Sequence, residues 1–145
     1  MIERFERFVS VISVISHHLH RIMSEEMSKY GLKGPFAVYL LAIYRHPEGI
    51  TAARLCEICE KNKAAVSRVL AELEEIGMIR REDTGYRAKI MLTEKGTRAA
   101  EFVYGRAVRA VELSGGSLSE EERANFYRAL ETIAGNLKAL ETHEY

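Results

Sequence analysis

Lysine and arginine side chains are concentrated in the middle of the chain, where their chemistry suits an anionic partner. Residues 61–91 hold seven cations, namely Lys61, Lys63, Arg68, Arg80, Arg81, Arg87 and Lys89. Five acids share this segment, whereas residues 112–145 hold three cations against seven acids. Because the chain has a formal net charge of zero, this asymmetry favours one basic surface for nucleic acid and an acidic region turned away from it. The alternative is a solvated charged face.

The first of these cations fall at the start of a predicted helix. Asn62 is a favourable N-cap, and Gly77 suits the left-handed end of a helix. Between them the apolar side chains recur with the helical period at Val66, Val69, Leu70, Leu73 and Ile76. Lys63, Ser67 and Arg68 then lie near one exposed side within the first two turns. Arg68 can bind guanine edges or phosphate, and Lys63 and Ser67 can hold phosphate.

A small β-hairpin is predicted after this helix. Its first strand begins at Ile79, and in its second, "RAKIML", Ala88, Ile90 and Leu92 alternate with Arg87, Lys89 and Met91. Asp83 and Gly85 favour a turn between the strands. Arg87, helped by Lys89, is the candidate contact of this hairpin with phosphate or the minor groove. Arg80 and Arg81 are predicted to brace the structure by pairing with Glu82 or Glu75.

The segments that must position these residues have helical patterns. A long helix is predicted over residues 2–30, and a second opens at Gly34-Pro35 and stops before Pro47. Thr51 can cap a third helix, Ala52 to about Cys59, with Leu55, Ile58 and Cys59 inward. Thr93 can cap a fifth helix that runs to about Leu113.

The two ends of the chain carry apolar helical surfaces. Apolar side chains nearly surround the first helix from Val9 to Ile15, which predicts burial against a second subunit. Ser119 and Glu122 form a capping box for a sixth helix. That helix has a heptad seam at Phe126, Leu130, Ile133, Leu137 and Leu140, which is typical of a helical dimer interface.

Helix, turn, helix and hairpin in this order are typical of a winged helix-turn-helix, whose second helix enters the major groove. The chain resembles MarR-type transcriptional regulators in "ITAARLCEICEKNKAAVSRVLAELEEIGMIRRE" and "YRAKIMLTEKG". The matching positions are Leu55 and Cys59, Val66-Ser67-Arg68, Leu73-Glu74, Gly77, Ile79, Leu92-Thr93 and Gly96. The expected fold is mainly α with a β-hairpin wing. Residues 1–33 and 97–145 would form the dimerisation helices and residues 34–96 the DNA-binding region.

The resemblance implies a DNA-binding regulator, most simply a repressor, that acts as a homodimer on a pseudo-palindromic operator. It also implies release by a small aromatic or anionic effector. The candidate contacts with double-stranded DNA are Lys61, Lys63, Ala64, Ala65, Ser67, Arg68, Arg87 and Lys89. Ala64 and Ala65 replace hydroxyl residues common in the family, although their methyl groups can contact thymine. The family's Asp-x-Arg wing pattern is missing, and Gly85-Tyr86-Arg87 can substitute for it.

Three further groups of residues suggest ways of sensing a signal. Tyr39 and Tyr44, with His17 and His20, are candidates for an effector pocket, and Tyr30 and Phe36 can line it too; plain core is the alternative. His17, His18 and His20 with His46 or a cysteine can form a metal site, but no complete set has zinc-like spacing, so no metal or cofactor is expected. Cys56 and Cys59 can sense oxidants or serve as inert buried thiols.

Several classes of protein are excluded by what the sequence lacks. It contains no phosphate-binding GxxxxGK, GxGxxG, HExxH or nucleophile-elbow motif, so an enzyme is not expected. No apolar run is long enough for a membrane helix, and "MIERFERF" does not read as a signal peptide. Two cysteines are too few for a secreted disulfide framework, so a cytoplasmic protein is predicted. The rival to a DNA-binding regulator is a winged helix used for protein–protein contact.

Overall fold

The computed structural model describes residues 1–85 and 87–142 and shows a mainly helical chain with one small sheet. Its elements in chain order are α1 (Ile2–Ser28), α2 (Phe36–Tyr44), α3 (Ala52–Cys59), α4 (Lys63–Glu75), β1 (Ile79–Arg81), β2 (Ile90–Leu92), α5 (Glu94–Ser114) and α6 (Glu120–Thr142). Each predicted helix is present, and the mainly α fold with a β-hairpin is confirmed. The chain divides into two compact units, Met1–Ala107 and Val108–Tyr145; the last three residues of the predicted C-terminal region lie outside the described residues.

The core of the unit Met1–Ala107 surrounds α2, which is apolar on nearly every side and packs against α1, α3 and β2. A helix of this kind is stable only when neighbours cover it all round. Met27 at the end of α1 and Val103 in α5 complete the same core. The largest fully buried side chains are Met27, Leu40, Ile43, Leu55, Leu70, Leu73, Met78, Ile90, Val66 and Val103.

The starts of α3 and α4 are fixed by the side-chain caps that the sequence predicts. The hydroxyl of Thr51 accepts a hydrogen bond from the backbone N–H of Arg54 at 3.2 Å, and Asn62 Oδ1 accepts one from Ala65 at 2.8 Å. Between the two helices, Glu60 adopts a left-handed conformation with φ 51°. This single residue reverses the chain tightly, because the N–H of Lys61 then returns to the carbonyl of Cys56 at 3.1 Å.

The hairpin is a two-stranded antiparallel sheet in which Ile79 pairs with Leu92 and Arg81 with Ile90. Ala88 and Ile90 are buried and Arg87 and Lys89 exposed, so the predicted alternation is confirmed for these four residues. Met91 and Leu92 are both half-buried, and only three residues of the predicted second strand pair with β1. Ile50 forms a bridge with Ile90 from the other side. The wing is thereby attached to the segment that leads into α3.

One inward assignment in α3 is wrong. Ile58 is 38% exposed, whereas Leu55 is fully buried and Cys59 half-buried. Leu55 and Cys59 are four residues apart and face the core together, with Ala52 and Cys56 flanking them on that side. Ile58 lies about 100° of helix rotation from Cys59, which turns it away from the core.

The helix α1 exposes apolar side chains along most of its length within the described unit. Phe5, for example, is 68% exposed. The exposed set is Ile2, Phe5, Phe8, Val9, Val11, Ile12, Val14, Ile15 and Leu19. Only the C-terminal end of the helix enters the core, through Glu26 and Met27.

The unit Val108–Tyr145 contains α6, whose start is the predicted capping box. Ser119 Oγ accepts from the N–H of Glu122 at 3.2 Å, and Glu122 Oε2 accepts from the N–H of Ser119 at 2.7 Å. Along α6 the predicted seam residues Phe126, Ile133, Leu137 and Leu140 are exposed. Among the described residues, no helix is long and apolar enough to cross a membrane.

Candidate nucleic-acid interface

The N-terminal half of α4 presents a cationic surface because its apolar side chains all turn the other way. Val66, Leu70 and Leu73 are buried in the core, whereas most predicted contacts before the first acid of the helix are exposed, namely Lys61, Lys63, Ala64, Ser67 and Arg68. Ala65 is half-buried and uses its N–H for the cap. The exposed face therefore carries three cations, a methyl group and a hydroxyl at the positive end of a helix dipole.

Some basic side chains of this region form ion pairs that brace the structure, whereas others point to solvent. Arg80 pairs with Glu82 at 3.2 Å, as predicted, and Arg81 pairs with Glu74 at 3.2 Å rather than with Glu75. Among the residues that the structure describes, Arg68, Arg87 and Lys89 form no ion pair with an acid. These three side chains keep their hydrogen-bond donors available for an anionic ligand.

The wing residues Arg87 and Lys89 are both exposed, on either side of buried Ala88. The stem of Lys89 lies against Gly49, where a Cβ atom would be 2.9 Å from Lys89 Cβ. Gly49 has φ 94°, a conformation that L side chains rarely adopt, so this contact depends on glycine. The middle residue of the predicted Gly85-Tyr86-Arg87 substitution lies outside the described residues.

A small open pocket of about 160 Å³ connects α3, the start of α4 and the wing. It is lined by Ala52, Ala53, Cys56, Lys63, Ser67, Arg81, Gly85 and Ala88. The structure thus brings two predicted contacts on α4 to the same place as Arg81 of β1. The sequence predicts only a bracing role for Arg81. The adjacent pair Arg80-Arg81 was the available signal that this strand borders the basic surface.

The four candidate effector residues are placed in different surroundings. His17 and His20 lie on the exposed part of α1, where His20 Nδ1 is 2.7 Å from the carbonyl oxygen of Ser16. Tyr39 is only 5% exposed, and the half-buried Tyr44 packs on Tyr104 with ring centroids 6.2 Å apart. None of the four lines the pocket beside α4, so a shared effector cavity stays a prediction.

The two cysteines of α3 are free and half-buried, and both lie close to Tyr39. Burial raises the pKa of Cys59, with a further upward contribution from Cys56 and an opposing one from Lys61. Burial also raises the pKa of Tyr39, with Cys59 and Cys56 adding to it. Within residues 1–85 and 87–142, no three His, Cys, Asp or Glu side chains are grouped to hold a metal ion.

An exposed basic helix, the braced helix before it and a hairpin beside it define a winged helix-turn-helix protein. Residues 30–88 match the model of the MarR family. The predicted resemblance to this family is therefore confirmed over these residues. No curated protein sequence matches the chain significantly.

Solved structures extend the fold likeness over nearly the whole chain. A MarR-family regulator from Listeria monocytogenes, solved with 26-mer DNA, has a TM-score of 0.78 and 21% identity, over 94% of this chain and 96% of its own. The Staphylococcus aureus MepR–DNA complex has a TM-score of 0.77 and 22% identity, over 88% and 94%.

A third likeness comes from an archaeal relative of the same fold. The MarR regulator from Methanosarcina mazei Go1 has a TM-score of 0.75 and 21% identity, over 93% of this chain and 92% of its own. The Listeria and Methanosarcina proteins are both described as transcriptional regulators.

Proposed function

We propose that this chain is a cytoplasmic, sequence-specific DNA-binding transcriptional regulator. It acts as a homodimer on a pseudo-palindromic operator in double-stranded DNA, represses transcription there, and is released by a small aromatic or anionic effector. The observation that carries the proposal is the cationic N-terminal half of α4, exposed beside a wing whose Arg87 and Lys89 form no ion pair with any described residue. Relatives of the same fold bind DNA in their solved complexes, which supports the same use of this surface.

Each residue of the proposed DNA surface has a role that follows from its chemistry. Arg68 can bind a guanine edge with two hydrogen bonds, whereas Lys61, Lys63 and Ser67 suit phosphate oxygens. The methyl group of Ala64 can contact a thymine methyl. Ala65 is half-buried, so we assign it a supporting contact at most.

The homodimer is supported by the apolar surfaces of α1 and α6. Both helices leave large apolar side chains exposed in the single chain, with Leu137 of α6 52% exposed. Several large apolar side chains exposed on one helix indicate an interaction site. A second copy of the chain can cover these helices and present two copies of α4 to half-sites about one helical turn apart.

The repressor role and release by an effector extend the family resemblance. His17, His20, Tyr39 and Tyr44 remain the candidate effector contacts. A ligand that binds the DNA-free form more tightly shifts the equilibrium away from the complex. Titration of aromatic carboxylates into the protein–operator complex tests this part: release at concentrations that leave a scrambled-site complex unchanged supports it, and no release by any of them counts against it.

Selection of binders from a pool of random duplexes, followed by affinity measurements at two salt concentrations, tests the DNA-binding function. An enriched inverted repeat whose affinity falls steeply with salt supports a dimer that uses phosphate contacts. The double variant Lys63→Ala/Arg68→Ala should lose that binding. Arg98→Ala, which removes an exposed arginine of α5 that pairs with Glu94 at 2.8 Å, should retain it. Failure to enrich any duplex would favour a protein-binding winged helix instead.

A further inference from the structure

Three carbonyl groups, that of the α4 C-cap Ile76 and those of Gly77 and Met78 in the connection to β1, are bound by Thr93 and Lys95 at the start of α5. Lys95 Nζ donates to the carbonyl oxygen of Ile76 at 2.8 Å, and Thr93 Oγ1 donates to that of Gly77 at 2.5 Å. The backbone N–H of Thr93 donates to the carbonyl oxygen of Met78 at 3.0 Å. Here three successive carbonyls are all bound from one short segment.

Backbone contact reinforces these hydrogen bonds. Gly96 is buried, and a Cβ atom at this position would overlap the carbonyl oxygen of Met78 and approach Leu92 to 3.2 Å. Any larger residue would therefore push the start of α5 away from Met78, in the connection between α4 and β1. Thr93 Oγ1 also accepts from the N–H of Gly96 at 3.2 Å, so one hydroxyl both caps α5 and binds the residue that follows the C-cap of α4.

We propose that Thr93, Lys95 and Gly96 are positioning residues for operator binding, which fasten α4 to α5 so that the two helices tilt together. This inference rests on the proposed function. The DNA surface lies at the opposite end of α4 from this junction. A helix of 13 residues is about 20 Å long at ~1.5 Å per residue, so a tilt of about 10° at the junction moves the first turn by roughly 3 Å. A displacement of that size breaks hydrogen bonds to base edges.

The junction therefore bears on the choice of operator as well as on affinity. In a homodimer, the distance between the two copies of α4 selects the spacing of the half-sites. A junction that holds α4 at one angle restricts that distance. A loosened junction lets α4 adopt several angles, so that operators of different spacing are bound more nearly alike.

Lys95→Met tests the inference because it removes the donor to Ile76 and keeps most of the aliphatic stem. Thr93→Val is a second variant, which removes both side-chain hydrogen bonds and keeps the branched shape. Lys95→Arg should restore binding because it keeps a cation that reaches the carbonyl. Arg98→Met is the matched control on the same helix, one turn further on, where the arginine pairs with Glu94.

The measurements are the affinity for the selected operator, for operators with one base pair added or removed between half-sites, and for an unselected duplex, together with the thermal midpoint. We expect Lys95→Met to weaken operator binding about threefold to tenfold, as for the loss of one hydrogen bond. The differences in affinity between operators with different half-site spacings should become smaller. Binding of the unselected duplex should not change.

Two results would overturn the inference. One is an unchanged affinity and spacing preference in both Lys95→Met and Thr93→Val. The other is an equal loss for all duplexes, because a merely structural role lowers every affinity alike. If the wild-type protein itself prefers no duplex, the proposed function fails as well. If the wild type prefers the operator and the variants retain that preference, only the inference about the junction fails.

Discussion

Arg68 and Arg87 are both exposed and unpaired among the described residues, yet they lie on different elements and should act differently. Arg68 is on the face of α4 that would meet base edges. We expect Arg68→Ala to cost about 1–3 kcal/mol in operator binding and to relax the preference for one base. Affinities for operators altered at single positions measure both effects.

Arg87 is on the wing and is expected to contact phosphate. Arg87→Ala should weaken all duplexes about equally and reduce the slope of affinity against salt by about one unit. A change of base preference in Arg87→Ala, or a uniform loss in Arg68→Ala, would show that the two roles are assigned the wrong way round. Arg54→Ala, which removes an exposed arginine paired with Glu57 at 2.7 Å, is the control.

Cys59 makes the stability of the protein depend on pH at the alkaline end. Burial raises the pKa of this thiol above its ordinary value of 9.0. The unfolded chain therefore ionises first as pH rises, and the stabilisation, complete below pH 9.0, is lost as pH rises through the folded pKa. We expect the thermal midpoint of Cys59→Val to fall less between pH 9 and pH 10 than that of the wild type.

The comparison must allow for Tyr39, whose pKa is also raised by burial from 10.0. Its contribution begins to fall only above that pH and is present in both proteins. Cys56→Ala keeps the Cys59 thiol, so its midpoint should still decline over the same range. Parallel curves for Cys59→Val and the wild type would contradict the assignment of the decline to Cys59.

At the scale of the elements, substitutions of Asn62, the N-cap of α4, can distinguish the stability of the helix from its role in DNA binding. The side chain of Asn62 accepts from Ala65 at 2.8 Å, and Asn62→Ala should lower the free energy of unfolding by about 1 kcal/mol. Asn62→Asp retains an equally good cap and adds a negative charge that the helix dipole favours. Its thermal midpoint should therefore equal or exceed that of the wild type.

The aspartate should nevertheless weaken DNA binding, because it places a negative charge between Lys61 and Lys63 and close to the phosphates they would contact. Thermal unfolding and operator affinity measured on the same three proteins distinguish these effects. Full operator affinity in Asn62→Asp would mean that the start of α4 does not face DNA.

The starts of the helices could be predicted from sequence because each depends on hydrogen bonds between near neighbours. Thr51, Asn62 and Ser119 all cap as expected. The rotation of a helix within the fold is less local. Two such details were missed, namely that Ile58 faces outward and that Arg81 pairs with Glu74 rather than Glu75. Adjacent residues differ by about 100° around a helix, so only packing shows which one faces a given neighbour.

The candidate site was predictable to a similar degree. The residues on α4 and the wing follow from the order of the elements and from charge. The junction between α4 and α5 could not be predicted, because its partners are far apart in the sequence. Thr93 is 16 residues from Gly77, and Lys95 is 19 residues from Ile76, whose carbonyls they bind. The short match "LTEKG" was visible in the sequence, but its contacts exist only in the folded chain.

At the scale of the whole molecule, the proposed function requires two chains, because one copy of α4 reads only half of a pseudo-palindrome. The apolar side chains of α6 supply a test. Leu137→Glu places a charge on the predicted seam, where burial of an unpaired carboxylate against a second copy would be costly. We expect sedimentation to show a monomer at concentrations where the wild type is a dimer.

The matched control is Asn136→Glu, which adds the same charge to the neighbouring residue, off the seam but also exposed on α6. It should remain a dimer. Loss of the dimer should abolish selective operator binding, since the two half-sites then bind independently, while the weak affinity for any duplex persists through the cations of α4. A monomeric Leu137→Glu that still bound the inverted repeat with full affinity would contradict the two-copy arrangement, whereas a dimeric Leu137→Glu would move the interface to α1 alone.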